Sequence, residues 1–186
     1  QPTPGGGSTA ALVGALGCAL VEMTNNLTVG KEAYSDVEDE MRSGLQMAEQ
    51  LRTSCTCLIN DDIQAFQKLM AVYRLPKETQ EEKVFRQEQI QTALLQAADV
   101  PLQIARRNLE LLKLAQVSAS KGNKNVVSDA VSGALLAYAA LQIGVLNVKT
   151  NLDLLKDELV AAELEGESRK LLQEGGKILK EIIHKS

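Results

Sequence analysis

One aspartate interrupts an apolar row. Stepping by four and three from Val37 gives Met41, Gly44, Ala48, Leu51, Cys55, Leu58, Asp62, Ala65, Leu69 and Val72, and only Asp62 in that series is charged. A carboxylate turned toward a core is costly to desolvate unless it is paired. Two readings follow: a buried hydrogen bond to a neighbouring helix end, or an acid at a site. Its neighbour Asp61 points about 100° away and is expected in solvent. A second row, Val126, Ala130, Gly133, Ala137, Ala140, Gly144, Asn147 and Asn151, passes from small residues to two amides one turn apart. That pair can offer donors and acceptors to a planar heterocycle, or cap a neighbouring helix. Asp129, at the start of the same segment, fits plain N-terminal dipole chemistry when read alone. Gly5-Gly6-Gly7-Ser8 before a helix resembles a backbone nest for a carboxylate or phosphate, but it has neither the Lys-Ser/Thr end of a P-loop nor a preceding strand.

The elements that must position these residues read as helices throughout, and the expected fold class is an all-α multihelical bundle in one domain over residues 1–186. Ser8 is taken as the N-cap of a helix ending near Asn26. A long helix is expected from Ser35 to Leu75, ended by Pro76. A charged helix should run from Thr79 to Ala98, and another from Pro101 to Lys121, closed by Gly122. An apolar central helix should span Asn125 to Leu155. After a solvated break at Glu163–Glu167, a last amphipathic helix covers Ser168–Ile183.

Composition narrows the function. Of 186 residues, 45% are hydrophobic but only 3% aromatic, with no Trp, so the core must come from Ala, Leu, Val and Ile at close helix contacts. A net charge of -4 without a basic run argues against nucleic acid and anionic membrane as partners. The apolar stretches Ala10–Val21 and Ala130–Leu146 fall short of the roughly 20 residues of a membrane span. Nothing basic precedes Lys31, so no signal peptide is expected. The odd set Cys18, Cys55 and Cys57 suits a reducing cytoplasm. His184 is the one histidine, which leaves no metal site in view.

Several ordered segments carry a resemblance. Pro2-Thr3-Pro4-Gly5-Gly6-Gly7-Ser8, Ala10 through Gly17, and Asn26-Leu27-Thr28-Val29-Gly30-Lys31 come first. Asp61-Asp62 with Ala65-Phe66, Leu75-Pro76-Lys77, Val100-Pro101-Leu102, Lys121-Gly122-Asn123 and Val127-Ser128-Asp129-Ala130 follow in order. Together they resemble the formiminotetrahydrofolate cyclodeaminase and methenyltetrahydrofolate cyclohydrolase family over nearly the whole chain. The resemblance implies an all-α homodimer acting on one-carbon units carried by tetrahydrofolate, with no cofactor beyond that carrier. It places Asp129 and Asp62 as acid–base and charge-stabilising groups, Asp129 foremost because it lies in a family motif. The substrate-binding set is then Gly5, Gly6, Gly7 and Ser8, Asn26, Lys31 for the glutamate tail, and Asn147 and Asn151 for the pterin edge.

The first expectation is cyclodeaminase, converting 5-formiminotetrahydrofolate to the 5,10-methenyl form with loss of ammonia. The alternative is cyclohydrolase, opening the 5,10-methenyl form to 10-formyltetrahydrofolate; a second alternative is a non-catalytic helical binding protein. On the sequence reading, Asp129→Asn should lower turnover by about 10²–10⁴-fold with unchanged helical circular dichroism; survival of activity within a few-fold would remove the acid–base role.

Overall fold

A computed structural model describes residues 3–185, so Pro2 of the first motif lies outside the described residues. The elements are α1 (Gly6–Asn26), a 3-10 segment (Glu32–Val37), α2 (Glu38–Tyr73), α3 (Gln80–Lys121), a 3-10 turn (Lys124–Val126), α4 (Val127–Leu152) and α5 (Glu158–Lys185). The fold class is the expected all-α bundle, with no strand among the described residues. In a ring, α1 lies between α2 and α4, and α3 packs against α2 and α4 on the other side; α5 covers α3 and α4.

Glycine sets how closely the helices approach. A Cβ on Gly17 would come 3.0 Å from the Gly133 carbonyl oxygen, and one on Gly133 3.0 Å from that of Gly17, so α1 and α4 meet backbone to backbone. Gly144 does the same against α3, where a Cβ would lie 2.9 Å from the Pro101 carbonyl oxygen. Small residues at these crossings let Leu102, Leu111, Leu112 and Leu141 close the core around them. Cys18 and Cys55 are free thiols buried between α1 and α2; their mutual hydrogen bond, with burial, pushes the Cys18 thiol up, while Cys57 is exposed. A bidentate Arg106–Glu167 pair, at 2.6 and 2.8 Å, ties α5 to α3 and holds Glu167 below its ordinary carboxyl range.

The structure corrects several boundaries. The N-cap of α1 is Gly5 rather than Ser8, which is the third helical residue. Residues 32–37 form the 3-10 segment, so α2 begins at Glu38. The two helices expected on either side of Pro101 are one, capped at Thr79 by a capping box with Glu82. Pro101 has no N–H to give to the Ala97 carbonyl, which would orphan it. Asn151 Nδ2 supplies the missing donor at 3.0 Å, and the helix runs on. Likewise α5 is continuous through Glu163–Glu167, where three Glu and one Leu are good helix formers and outweigh the single Gly166. The break falls instead at residues 153–157, where Asp157 Oδ1 accepts from Val160 N–H at 3.1 Å to start α5.

A further correction concerns length. Gly6–Asn26 and Lys124–Leu152 are long and apolar enough to cross a bilayer, contrary to the estimate from their uninterrupted apolar stretches. In this fold they pack against each other with 44% and 39% of their most apolar windows buried, leaving an apolar outer face.

Two glycine substitutions separate packing from propensity. Gly144→Val should cost about 2–3 kcal/mol in urea unfolding, because α3 backbone blocks the new side chain. Gly166→Ala, where a Cβ meets nothing within 4 Å, should gain about 0.5–1 kcal/mol. Equal effects at the two positions would refute the close-approach account.

Candidate active site

The N-terminus of α1 ends against the side of α2, and there the structure uses Asp62. Its Oδ2 accepts from the Ser8 backbone N–H at 2.8 Å and from Ser8 Oγ at 2.7 Å. The anion that a glycine nest at a helix start attracts is therefore supplied by the protein itself. Gly7 makes this possible: a Cβ there would fall 2.0 Å from Asp62 Oδ1. With Oδ2 committed to Ser8, Oδ1 keeps acceptor capacity for other work.

Beside this clamp lies a cavity of about 320 Å³. Its polar end is formed by Thr3, Gly5, Gly6, Gly7, Asp62, Asn147, Thr150 and Asn151, and its apolar end includes Phe66, Leu69, Met70, Tyr73 and Leu154. Among the described residues, Asp62 is the only charged one in the lining. Asn147 packs against Gly6, where a Cβ would come 2.9 Å from Nδ2. The Asn147 amide donates to Ile143 O at 2.8 Å, and that of Asn151 to Asn147 O and Ala97 O, both at 3.0 Å. Both Nδ2 groups are thus engaged by backbone, and what the pair offers a ligand is its carbonyl oxygens.

The structure brings together seven of the sequence candidates: Gly5, Gly6, Gly7, Ser8, Asp62, Asn147 and Asn151. It does not bring Asn26, Lys31 or Asp129 to them within one chain. α1 and α4 run antiparallel, so Asn26 and Asp129 stand at the opposite end of the bundle. Asp129 is eighteen residues from Asn147 along α4, about 27 Å, and Lys31 is exposed beyond the end of α1.

Sequence reasoning missed the apolar wall. Phe66, Met70 and Tyr73 follow Asp62 at steps of four, four and three, and so share its side of α2. The row drawn through Ala65 and Leu69 is the adjacent one, and the aromatic continuation was a signal available in the sequence. Thr150 sits one turn beyond Asn147 on the same helix, whereas Leu154 had no such signal, because the α4–α5 turn that places it was expected elsewhere.

Comparison with known proteins follows the same residues. The family model described as formiminotransferase-cyclodeaminase matches residues 1–170. A methenyltetrahydrofolate cyclohydrolase of Methylorubrum extorquens is 46% identical over 181 residues, covering 97% of this chain and 87% of that protein. The formimidoyltransferase-cyclodeaminase of Rattus norvegicus is 34% identical over 175 residues, covering 92% of this chain but 32% of the rat protein. The crystal structure of formiminotetrahydrofolate cyclodeaminase from Thermotoga maritima superposes with a TM-score of 0.78 at 35% identity, over 98% of this chain and 91% of that one. On the extent of these matches and on its fold, the chain belongs to the formiminotetrahydrofolate cyclodeaminase / methenyltetrahydrofolate cyclohydrolase family of enzymes.

Proposed function

We propose that this protein is a cytoplasmic one-carbon tetrahydrofolate enzyme that opens 5,10-methenyltetrahydrofolate to 10-formyltetrahydrofolate, with Asp62 as its general base and acid. The observation that carries the proposal is the Asp62 carboxylate, held through Oδ2 by Ser8 at the polar end of the cavity with Oδ1 uncommitted. The order of the two reactions is revised from the sequence expectation. The 46%-identical relative, matched over 87% of its own length, carries the cyclohydrolase name, and this favours cyclohydrolase over cyclodeaminase.

In the proposed reaction, the substrate's amidinium carbon lies between nitrogens 5 and 10, and its positive charge favours a carboxylate neighbour. Water attacks that carbon and passes a proton to Asp62. The bond from carbon to nitrogen 5 then breaks, and nitrogen 5 takes the proton from Asp62. The remaining hydroxyl loses its proton to solvent as the formyl group forms on nitrogen 10, so one proton is released overall. Phe66, Met70 and Tyr73 provide an apolar wall for the planar ring, and the carbonyl oxygens of Asn147 and Asn151 accept from its N–H groups.

Cyclodeaminase is the second reading, favoured by the likeness to the Thermotoga maritima cyclodeaminase structure. There nitrogen 10 attacks the formimino carbon, and ammonia leaves from the same kind of tetrahedral centre. The two are separated by following methenyl absorbance. Accelerated loss of 5,10-methenyltetrahydrofolate over the buffer rate, without conversion of the 5-formimino compound, supports the proposal. Appearance of methenyl absorbance from 5-formiminotetrahydrofolate would move the assignment to cyclodeaminase, and silence with both would favour a non-catalytic binding protein.

Two variants test the clamp. Asp62→Asn should lower kcat by about 10²–10⁴-fold, and by far more than Asp129→Asn, since Asp129 is outside the cavity. Gly7→Ala should lower kcat comparably, because its Cβ displaces the Asp62 carboxylate from Ser8, while circular dichroism stays helical. Near-wild-type turnover in Gly7→Ala would show that the Ser8–Asp62 geometry is not used in the reaction.

A further inference from the structure

The last turns of α4 are flanked by cavities on two sides. Asn147 and Asn151 face the one that holds Asp62. About 130° round the same helix, Val145, Val148 and Leu152 face a second cavity of about 180 Å³, bounded across the gap by Leu172 of α5. The two linings share no residue.

This second cavity holds a hydroxyl with nothing to bond. Ser168 is 4% exposed, and its Oγ has no hydrogen-bond partner among the described residues. Buried hydroxyls on other helices give their proton to the carbonyl one turn back, Thr24 to Leu20 O at 3.0 Å and Ser118 to Leu114 O at 3.1 Å. Ser168 makes no such bond to Leu164. A buried donor left in this way is costly unless an acceptor reaches it from the cavity.

The charges at the rim say what kind of acceptor. Lys149 and Arg169 both line the cavity, against a single carboxylate, Glu165. Lys149 forms no ion pair among the described residues. Arg169 has only Glu165, at 3.5 Å with both side chains more than half exposed, a pairing that holds it weakly. Two available cations and an unused hydroxyl at the edge of an apolar wall match an anion with an apolar body.

We propose that this cavity binds a small monocarboxylate with a branched apolar body, of the size of 3-methylbutanoate. Its carboxylate accepts from Ser168 Oγ and from the two cations, and its methyl groups cover Val145, Val148, Leu152 and Leu172. Volume sets the size: an apolar cavity of about 150 Å³ takes benzene, so this one suits roughly seven heavy atoms and excludes a nucleotide or a lipid chain. Inorganic phosphate would meet the cations but leave the apolar wall uncovered. The site is independent of the proposed reaction, and its test needs no turnover.

The test is a titration of the whole chain with sodium 3-methylbutanoate, followed by backbone amide NMR shifts. Saturable shifts are expected in residues 145–152 and 165–172, with a dissociation constant on the order of 1 mM. The neutral 3-methylbutanamide and inorganic phosphate should each bind at least about tenfold more weakly. Ser168→Ala should weaken binding about fivefold, and Lys149→Gln and Arg169→Gln about tenfold each. Glu165→Gln, which releases Arg169, should instead tighten it by about two- to threefold. Helical circular dichroism should be unchanged in all four variants. No saturable shift well above that concentration, shifts confined to the Asp62 cavity, phosphate binding as tight as that of the carboxylate, or wild-type affinity in Ser168→Ala would each overturn the proposal.

Discussion

The contact between Asp62 and Ser8 joins the site to the fold. A helix start leaves N–H groups without partners, and a carboxylate on a neighbouring helix is costly unless it finds donors. Each solves the other's problem at 2.8 and 2.7 Å. The arrangement requires glycine at position 7, because any Cβ would occupy the space of Oδ1. It also fixes the register of α1 against α2, which the Glu22–Arg52 ion pair and the Cys18–Cys55 contact then follow. One interaction thus aligns two helices and leaves a carboxylate oxygen at the edge of a cavity.

The same economy of polar groups recurs at the crossings. Asn151 gives Ala97 the hydrogen bond that Pro101 cannot, so a residue lining the cavity also keeps α3 straight enough to form its wall. Asn108 is fully buried against Gly14, donates to Ile104 O at 2.8 Å, and leaves Oδ1 without a conventional partner. A Cβ on Gly14 would fall 2.6 Å from that oxygen, so the buried amide fits only where no side chain intervenes. At the other end Ser118 Oγ donates to Asn25 Oδ1 at 2.7 Å, closing α1 onto α3. Close glycine packing and buried amides depend on each other here: backbones near enough to touch need small, directional groups between them.

How much of this the sequence discloses depends on the range of the interaction. Periodicity identified the all-α class and the row containing Asp62, because those follow from neighbours three and four residues apart. Composition likewise announced close helix contacts, since a core so poor in aromatics needs glycine and alanine at the crossings. The continuity of α3 through Pro101 was not legible, because the compensating donor sits fifty residues later on α4. Ser8 looked like a cap for the same reason: its true partner is 54 residues away, and local sequence offers only the local role. The sequence also could not show that Lys31 and Asp129 stand at the far end from Asp62. Motif order along a chain carries no information on which ends of antiparallel helices meet.

The cavity's chemistry bears on why one fold can host two reactions. Opening a methenyl cation with water and forming it by loss of ammonia both pass through a carbon bonded to two ring-bearing nitrogens and one further heteroatom. A site that stabilises that tetrahedral centre serves both directions of bond making, because its carboxylate need only take a proton from the incoming group and return one to the departing group. What distinguishes the outcomes is the heteroatom admitted to the third position. On the proposed function, Asp62 exchanges the proton in either case, whereas the apolar Phe66, Met70 and Tyr73 limit how much water shares the cavity with the ring. Specificity between hydrolysis and deamination is therefore expected to lie in that wall and its cover at Thr150 and Leu154, and the Ser8–Asp62 clamp to be common to both.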